Sequence, residues 1–380
     1  MLSWAEPTGP GVPGAPGLLG GPARPGGHLA RWWWWAVAVV TAVAVQDTLR
    51  WRDTLHPDWL IARAAGAALY GSDGLRVYAT HPRAQMGPLA LALALLTRPA
   101  YLVLVAALLG PVLLLLAGAG LAANRAGWTR RSLLVAGAGA ALAVVPWTQL
   151  AWKGHADDAL VLLGIAVLAL GLYRPSGGTW PGPRVLVVAG IAIAVAGKPT
   201  GVVLVPVSAL AGLEVLATTL LAVLAIWAPF ALVDLPGLLA AGRGVMTVGR
   251  GSLPSVLGVR VGAAPPSWVR IGQLLGGLAL AGLGAARRRP LEGVAAAFCL
   301  RALMDPNPAP AYSTPLVLLA VALDAGRPVP SVTVLAAASF WLSQPVLDGG
   351  PGGYRLAALG ALLAVLLARI SPVARISRAG

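Results

Sequence analysis

The fold is decided by Arg31-Trp32-Trp33-Trp34-Trp35-Ala36-Val37-Ala38-Val39-Val40-Thr41-Ala42-Val43-Ala44-Val45. The stretch carries no charge after Arg31, and its four tryptophans are of the type that concentrates at membrane–water boundaries. The preceding residues 1–30 are rich in Gly and Pro, can form no core and resemble no signal peptide. We therefore predict an uncleaved first transmembrane helix after a disordered cytoplasmic tail of residues 1–30.

The composition indicates that the whole chain of 380 residues is a membrane protein. Hydrophobic residues make up 58% and charged residues 11%, against about 25% charged in soluble domains, and the mean hydropathy is +0.78. The charge of +15 does not indicate nucleic-acid binding, because the arginines are scattered through short connections, where they orient helices. Cys299 is the only cysteine, so it forms no disulfide within one chain and is expected to be a buried small side chain.

Further apolar runs predict an all-α integral membrane protein, a bundle of about 10–12 transmembrane helices in a single domain, residues 31–371. The runs lie at about 100–123, 132–148, 156–173, 185–198, 200–213, 216–232, 268–285, 291–304, 312–324, 329–344 and 355–370. A break at Gly197-Lys198-Pro199-Thr200 predicts half-helices or re-entrant segments. The run 88–96 is too short to cross the membrane and is expected to lie at its surface. A basic cytoplasmic tail, 372–380, follows the domain, and no soluble domain is expected at either end.

Short basic loops predict the orientation of the bundle, because they favour the cytoplasmic side. With the N-terminus in the cytoplasm, that side receives Arg125, Arg130, Arg131, Arg174, Arg184, Arg287, Arg288, Arg289, Arg369, Arg375 and Arg378. The extracytoplasmic loops are then 47–99, 149–155, 233–267, 305–311 and 345–354. Most acids fall on that side, namely Asp47, Asp53, Asp58, Asp73, Asp157, Asp158, Asp234, Asp305 and Asp348, whereas Glu214, Glu292 and Asp324 fall inside or near it. We predict a multi-pass plasma-membrane protein whose active face is extracytoplasmic.

The first candidate functional residue is Asp58, in Leu55-His56-Pro57-Asp58-Trp59-Leu60-Ile61-Ala62-Arg63. A carboxylate beside a bilayer is costly to keep unless it is used. A second group of titratable residues, His155, Asp157 and Asp158, lies at the mouth of the next predicted helix. Two interpretations of these acids stay open: capping of the helix N-terminus and binding of a ligand. A metal ion is conceivable from His155 and Asp158, but one such pair is a weak signal, so no metal site is assigned.

Several basic residues are candidates for holding an anion. The loop 233–267 carries Arg243, Arg250 and Arg260 among glycines, and arginine offers paired donors to phosphate. The alternative is that they are solvated loop arginines. Lys198 either meets a lipid phosphate or extends toward the membrane surface, as long basic side chains often do. Asp305 opens a proline-rich turn that either terminates helices or walls the same cavity.

The chain resembles the polytopic GT-C glycosyltransferases, and most closely family 87, whose actinobacterial members look like polyprenyl-phosphate-mannose-dependent mannosyltransferases of the cell envelope. The resemblance is carried by Asp58-Trp59-Leu60-Ile61-Ala62-Arg63-Ala64-Ala65-Gly66-Ala67-Ala68-Leu69-Tyr70-Gly71, Val77-Tyr78, His81-Pro82 and Gly87-Pro88-Leu89. Residues 154–160, 197–200 and 300–312 are also similar to landmarks of related membrane proteins. The resemblance implies a GT-C-like bundle whose long first extracytoplasmic loop contains short interfacial helices, and inverting transfer of a hexose, expected to be mannose.

The resemblance also implies roles for the candidate residues. Asp58 is expected to be the general base, with Arg63 on another face of its short helix. The substrate-binding residues are expected to be His155, Asp157 and Asp158 for the acceptor hydroxyls, Lys198 and one or more of Arg243, Arg250 and Arg260 for the departing phosphate, and Asp305. The partners are then a polyprenyl-phosphate sugar donor, a lipid or glycan acceptor and membrane lipids. No cofactor is implied, and the need for a divalent metal stays open.

Two other classes of function remain open. The chain contains no P-loop or nucleotide-binding glycine motif, which fits a lipid-linked donor and disfavours an ATP-driven pump. A transporter or lipid flippase is an alternative, since a broken helix near Lys198 suits a substrate pathway, although no internal repeat is evident. A noncatalytic GT-C-like scaffold is another, because Arg83-Ala84-Gln85-Met86-Gly87 splits the proline motif that follows Asp58.

Overall fold

The computed structural model describes residues 27–124, 126, 128–173, 182–243, 246–327, 329–347 and 350–371. Within these ranges all regular structure is helical, and no strand occurs. The first helix begins at Gly27, so helix already covers the end of the tail predicted for residues 1–30. The rest of that tail, the basic tail 372–380, Arg125, Arg174 and Asp348 lie outside the described residues.

The helices are numbered here in chain order. They are α1 (Gly27–Leu49), α2 (Pro57–Leu69), α3 (Val77–Thr80), α4 (Pro88–Leu93), α5 (Arg98–Ala107), α6 (Leu109–Ala123), α7 (Arg130–Lys153), α8 (Ala156–Tyr173), α9 (Pro183–Gly197), α10 (Leu213–Arg243), α11 (Leu253–Val256), α12 (Ser267–Ala286), α13 (Pro290–Met304), α14 (Thr314–Asp324), α15 (Ser331–Trp341), α16 (Ser343–Leu347) and α17 (Gly353–Ile370). Three 3-10 helices lie between them, at Gly74–Arg76, Pro199–Ala211 and Pro310–Ser313.

Helices long and apolar enough to cross a membrane confirm the all-α membrane class. In the described part of the chain there are seven: His28–Leu49, Arg98–Ala123, Arg130–Lys153, Ala156–Tyr173, Leu213–Ala241, Ser267–Ala286 and Gly353–Ile370. Shorter apolar helices occupy Pro183–Gly197, Pro199–Ala211, Thr314–Asp324 and Ser331–Val346. The total of about 10–12 spans requires the shorter helices to cross as well, and it stays a prediction.

The segment between α1 and α5 contains the short helices that the sequence analysis expected there. Helix α4 covers most of the run 88–96 and is only six residues long, too short to cross a bilayer. Its Ala90 and Leu91 are buried. The amide of Gly87, just before α4, donates a hydrogen bond of 2.7 Å to the carbonyl of Gly197 at the end of α9. The segment is therefore fastened to the point where α9 ends.

The predicted break at Lys198 is confirmed, and the chain reverses direction there. Lys198 is extended (φ −152°, ψ 136°), which is the conformation favoured before proline. The Pro199–Ala211 helix then folds back beside α9, so that Gly201 lies against the backbone of Ala194. Because a 3-10 helix rises about 2.0 Å per residue and an α-helix 1.5 Å, the two arms have similar lengths. Lys198 lies at the apex of this hairpin.

Helix α8 is the centre of the bundle, with 72% of its span buried. It approaches α9 closely at Gly164 and Gly190, where a Cβ on Gly164 would lie 2.4 Å from the carbonyl oxygen of Gly190. Small residues allow such backbone contact between membrane helices. The first turn of α8 is thereby held beside the apex at Lys198.

Two segments predicted as extracytoplasmic loops are partly helical. The loop predicted for 149–155 is mostly helix, since α7 continues to Lys153 and leaves Gly154 and His155 as its connection to α8. The loop predicted for 233–267 begins as helix, because α10 continues to Arg243 through a kink at Asp234. There the Asp234 carboxylate accepts a hydrogen bond of 2.9 Å from the amide of Gly237. It thus caps the second half of α10.

Acids predicted to lie at the cytoplasmic end form ion pairs far from the first-loop helices. Glu292, in the first turn of α13, lies 3.4 Å from both Arg289 and Arg327. Asp324, at the end of α14, pairs with Arg369 of α17 at 2.8 Å. The other ends of α13 and α14 approach Asp305 and Tyr312, so the bundle carries two separate charged clusters.

Candidate functional site

A cavity of about 740 Å³ lies where α2, α8, α9, α12 and α13 meet. One side is polar, with Asp58, His155, Lys198, Arg270, Arg301 and Asp305. The other side is apolar, with Val202, Val203, Val223, Trp227, Leu274 and Phe298. Leu274 is also 44% exposed, so the apolar wall reaches the outside of the bundle. A site of this size and lining suits one end of an amphiphilic molecule.

Asp58 faces this cavity from the first turn of α2. The His56 ring caps the helix, since its Nδ1 accepts a hydrogen bond from the Asp58 amide at 3.3 Å. Burial lowers the pKa of His56, which fits a neutral ring that accepts. The Asp58 Oδ2 lies 3.4 Å from His155 Nε2, and its side chain is 43% exposed. Since the hydrogen-bond and ion-pair contacts of Asp58 within the described residues all use Oδ2, Oδ1 is left for a ligand.

Trp59 and Arg98 hold the start of α2 in place. The Arg98 guanidinium lies 4.8 Å from the centre of the Trp59 ring and donates to the carbonyls of Thr54 and Trp152. Gly154 packs on the other side of Trp59, with φ +99°, and a Cβ there would lie 2.6 Å from the Trp59 Cα. A side chain at Gly154 would therefore both strain the backbone and displace α2. Asp58 is positioned by this packing.

His155 connects Asp58 to the next carboxylate. Its Nε2 faces Asp58 at 3.4 Å and its Nδ1 faces Asp157 at 3.6 Å. Burial alone would lower the pKa of His155, but hydrogen bonding to Asp157 and Asp58 outweighs it and raises the pKa to about 9. The hydrogen bond from His155 in turn lowers the pKa of Asp58 from its ordinary 3.8. At neutral pH the ring is therefore a cation between two carboxylates.

Lys198 is enclosed by the two acids of α8. Its Nζ lies 2.6 Å from Asp157 Oδ2 and 2.8 Å from Asp158 Oδ2, and the residue is only 7% exposed. It does not extend toward the membrane surface, so that interpretation is wrong. Both carboxylates pair with Lys198, and no hydrogen bond among the described residues joins either of them to a backbone amide as a helix cap would. Arg301 adds a third cation, 3.7 Å from Asp158 Oδ1.

These contacts form one charge-balanced cluster. Three carboxylates (Asp58, Asp157, Asp158) alternate with three cations (His155, Lys198, Arg301). Buried charges are tolerated when they are paired in this way. The Tyr312 ring closes the cluster, with Lys198 Nζ and the Arg301 guanidinium each 5.7 Å from its centre. The sequence placed Arg301 and Tyr312 in a landmark segment but gave them no role.

Asp305 and Arg270 form a second polar group in the cavity. Asp305 is buried and accepts a hydrogen bond of 2.9 Å from the amide of Asn307. Burial raises the pKa of Asp305, partly offset by Arg301. Arg270 donates to Gln273 Oε1 at 3.2 Å and forms no ion pair within the described ranges. Its guanidinium is thus a cation still available to an anionic ligand.

Two of the three arginines predicted to hold a phosphate are not at this cavity. Arg250 and Arg260 are exposed and are not part of its lining. The side chain of Arg243 lies outside the described part of the structure. Sequence reasoning missed Arg270 and Gln273, although the two polar residues, three positions apart, mark one face of an apolar helix. Arg63, as expected, lies away from Asp58, with its guanidinium 5.2 Å from the centre of the Trp59 ring.

The raised pKa of His155 predicts a pH-dependent stability. A pKa raised from 6.5 to about 9 gives a stabilising contribution that is complete below pH 6.5 and is lost as the pH rises through 9. The contribution is on the order of 3 kcal/mol. We expect the thermal unfolding midpoint in detergent to fall over this interval, and to fall less in His155→Asn. His81→Asn is the matched control, and an equal slope in His155→Asn would contradict the assignment.

No family profile, curated protein or solved structure matches the chain.

Proposed function

We propose that the chain is an integral membrane glycosyltransferase that moves a hexose, mannose by the GT-C resemblance, from a polyprenyl-phosphate donor to a lipid or glycan acceptor. One observation carries the proposal. A single cavity combines a carboxylate with a free oxygen, a guanidinium that forms no ion pair with the described residues and an apolar wall that reaches the outside of the bundle. In the transfer from a lipid-phosphate sugar, the carboxylate can take the acceptor proton, the guanidinium can bind the phosphate and the apolar wall can hold the hydrocarbon chain.

The apolar wall supports a donor with a hydrocarbon chain. Val202 and Val203 on the hairpin, Trp227 on α10 and Leu274 on α12 line that side of the cavity. Because Leu274 is also exposed, a chain lying there can continue into the surrounding lipid while its headgroup stays among the polar residues. A water-soluble nucleotide sugar would leave this wall unused.

Asp58 is the best placed base. Asp157 and Asp158 are both held by Lys198, whereas Asp58 is partly exposed to the cavity and keeps Oδ1 free. In the proposed reaction the acceptor hydroxyl oxygen bonds to the anomeric carbon and its proton passes to Asp58. The bond from that carbon to the phosphate oxygen breaks, and its electron pair stays on the phosphate. The lowered pKa of Asp58 keeps it ionised, and His155 fixes its orientation.

Arg270 takes the phosphate-binding role first expected of the loop arginines. Its guanidinium can offer paired donors to the phosphate and stabilise the charge that grows there as the bond breaks. Arg301 lies close to the same space but already faces Asp158. Lys198 is unsuited to this role, because both of its acidic partners would have to release it.

Arg270→Gln is expected to weaken donor binding. Loss of a charge-assisted hydrogen bond should raise the KM for the lipid donor about 10- to 100-fold, with a smaller effect on the acceptor. The measurement is initial rate against donor concentration in detergent. Arg250→Gln is the matched control, because Arg250 is exposed outside the cavity. Equal effects of the two substitutions would argue against a phosphate at Arg270.

The function is tested by supplying purified protein with radiolabelled polyprenyl-phosphate mannose and a membrane-lipid extract as the source of acceptors. The expected result is a labelled product that depends on the protein and on Asp58. Mass spectrometry of lipids from cells with and without the chain then identifies the acceptor. Donor binding without transfer would favour the noncatalytic scaffold.

A transporter or flippase is the second candidate, and the hairpin with its buried cation at Lys198 favours it. Broken helices with polar residues at the break line the pathways of many transporters. Protein in sealed vesicles distinguishes the two candidates. Movement of a lipid-linked sugar across the bilayer without a new glycosidic bond would support transport and overturn the transferase.

A further inference from the structure

Three residues, His155, Asp157 and Asp158, lie close enough together to be considered as ligands of a metal ion. One ligand atom from each can be chosen so that all three lie within 4.8 Å of one another. Imidazole and carboxylate groups together suit ions such as Mn²⁺ and Zn²⁺. Asp157 Oδ1 and Asp158 Oδ1 are buried and face cations only at longer distances, His155 Nδ1 at 3.6 Å and Arg301 at 3.7 Å. A cation therefore has an evident place here.

That place is already taken by the chain itself. Lys198 Nζ lies 2.6 Å and 2.8 Å from the two α8 carboxylates. We propose that the Lys198 ammonium is the permanent cation of this cluster, and that it stands where a divalent metal ion would otherwise bind. The proposal concerns cation binding alone and does not depend on the sugar transfer.

Charge and geometry both support this assignment. With Lys198, His155 and Arg301 present, the three carboxylates of the cluster are already neutralised, so a divalent ion would add two unbalanced charges to a buried site. The ammonium group belongs to the residue at the apex of the hairpin. The Lys198 backbone is extended there, and Pro199 and the hydrogen bond from Gly87 to Gly197 hold it in place. To admit a metal, the hairpin would have to withdraw its lysine.

The consequence is that Asp157 and Asp158 are held in place by Lys198 without a metal ion. Asp157 Oδ1 then stays beside His155 Nδ1, and His155 Nε2 stays beside Asp58 Oδ2.

The experiment measures Mn²⁺ binding to the full-length protein in detergent by electron paramagnetic resonance, in which free Mn²⁺ gives the signal. The parent protein is expected to bind no Mn²⁺ that depends on Asp157 and Asp158. Lys198→Ala, which removes the ammonium and opens space between the carboxylates, is expected to bind Mn²⁺ about tenfold or more tightly than the parent. Added Mn²⁺ should also raise the unfolding midpoint of Lys198→Ala and leave that of the parent unchanged.

Two controls locate the ion. Lys153→Ala removes the lysine at the end of α7, two residues before His155. This variant should not bind Mn²⁺ at a new site. Adding Asp157→Asn and Asp158→Asn to Lys198→Ala should abolish the gained site. Failure of a folded Lys198→Ala to bind Mn²⁺ would overturn the proposal. If Lys198→Ala does not fold, the parent decides: Mn²⁺ binding that Asp157→Asn removes overturns the proposal, and its absence supports it.

Discussion

Replacement of Asp58 by Asn is expected to lower the rate of sugar transfer about 10²- to 10⁴-fold, the usual contribution of a positioned general base. The amide keeps the size of the side chain but cannot take the proton of the acceptor hydroxyl. Because the Asp58 side chain is 43% exposed and His155 keeps Asp157 as a partner, the variant should still fold. The measurement is the single-turnover rate with saturating labelled donor, alongside the unfolding midpoint of the same preparation.

Asp53→Asn is the matched control for this substitution. It makes the same chemical change in the same loop, at a side chain that is 89% exposed and pairs with the neighbouring Arg52. Its rate should stay within about twofold of the parent, as surface changes usually do. An Asp58→Asn protein that transfers sugar at the parental rate would refute the base assignment. One that loses donor affinity instead would make Asp58 a binding residue.

The sequence predicted those parts of the site that are formed by residues close together in the chain. Asp58 follows a capping histidine and a proline, and the two acids of α8 follow His155, so each group can be recognised within a few positions. Lys198 was recognised because proline makes the break visible in the sequence. The pairing of Lys198 with both acids was not predicted, because it depends on the close approach of α8 to α9 at Gly164 and Gly190.

The errors have a common physical origin. A flexible glycine-rich loop can wrap an anion, which favours Arg250 and Arg260 as phosphate ligands. Composition, however, does not specify which way a loop faces. Arg270 was missed because a single arginine in an apolar helix usually reaches for the membrane surface. The loop expected from residue 233 is helical to Arg243 because its apolar residues continue the helix past the kink at Asp234. Each outcome depends on tertiary contacts, which local pattern does not contain.

Replacement of Lys198 by Met is expected to be the most destabilising single change in the cluster. It removes the cation and keeps the length of the side chain, so Asp157 and Asp158 are left facing each other in a buried site. Breaking a buried ion pair in this way costs about 3–5 kcal/mol, which for a chain of this size lowers the unfolding midpoint by about 5 °C. Lys153→Met is the matched control and should shift it little, because Lys153 is partly exposed and has no carboxylate within ion-pair distance among the described residues.

Second substitutions in Lys198→Met test whether charge pairing is the cause. Adding Asp157→Asn leaves two balanced pairs, Asp158 with Arg301 and Asp58 with His155, so it should restore much of the loss. Adding Asp158→Asn instead leaves Arg301 without its partner and His155 between two carboxylates, so it should restore less. Equal recovery by the two would show that the number of charges matters and their pairing does not. If neither substitution restores stability, Lys198 stabilises the hairpin through packing. Removing an acid corrects the charge imbalance but does not restore the packing of the lysine side chain.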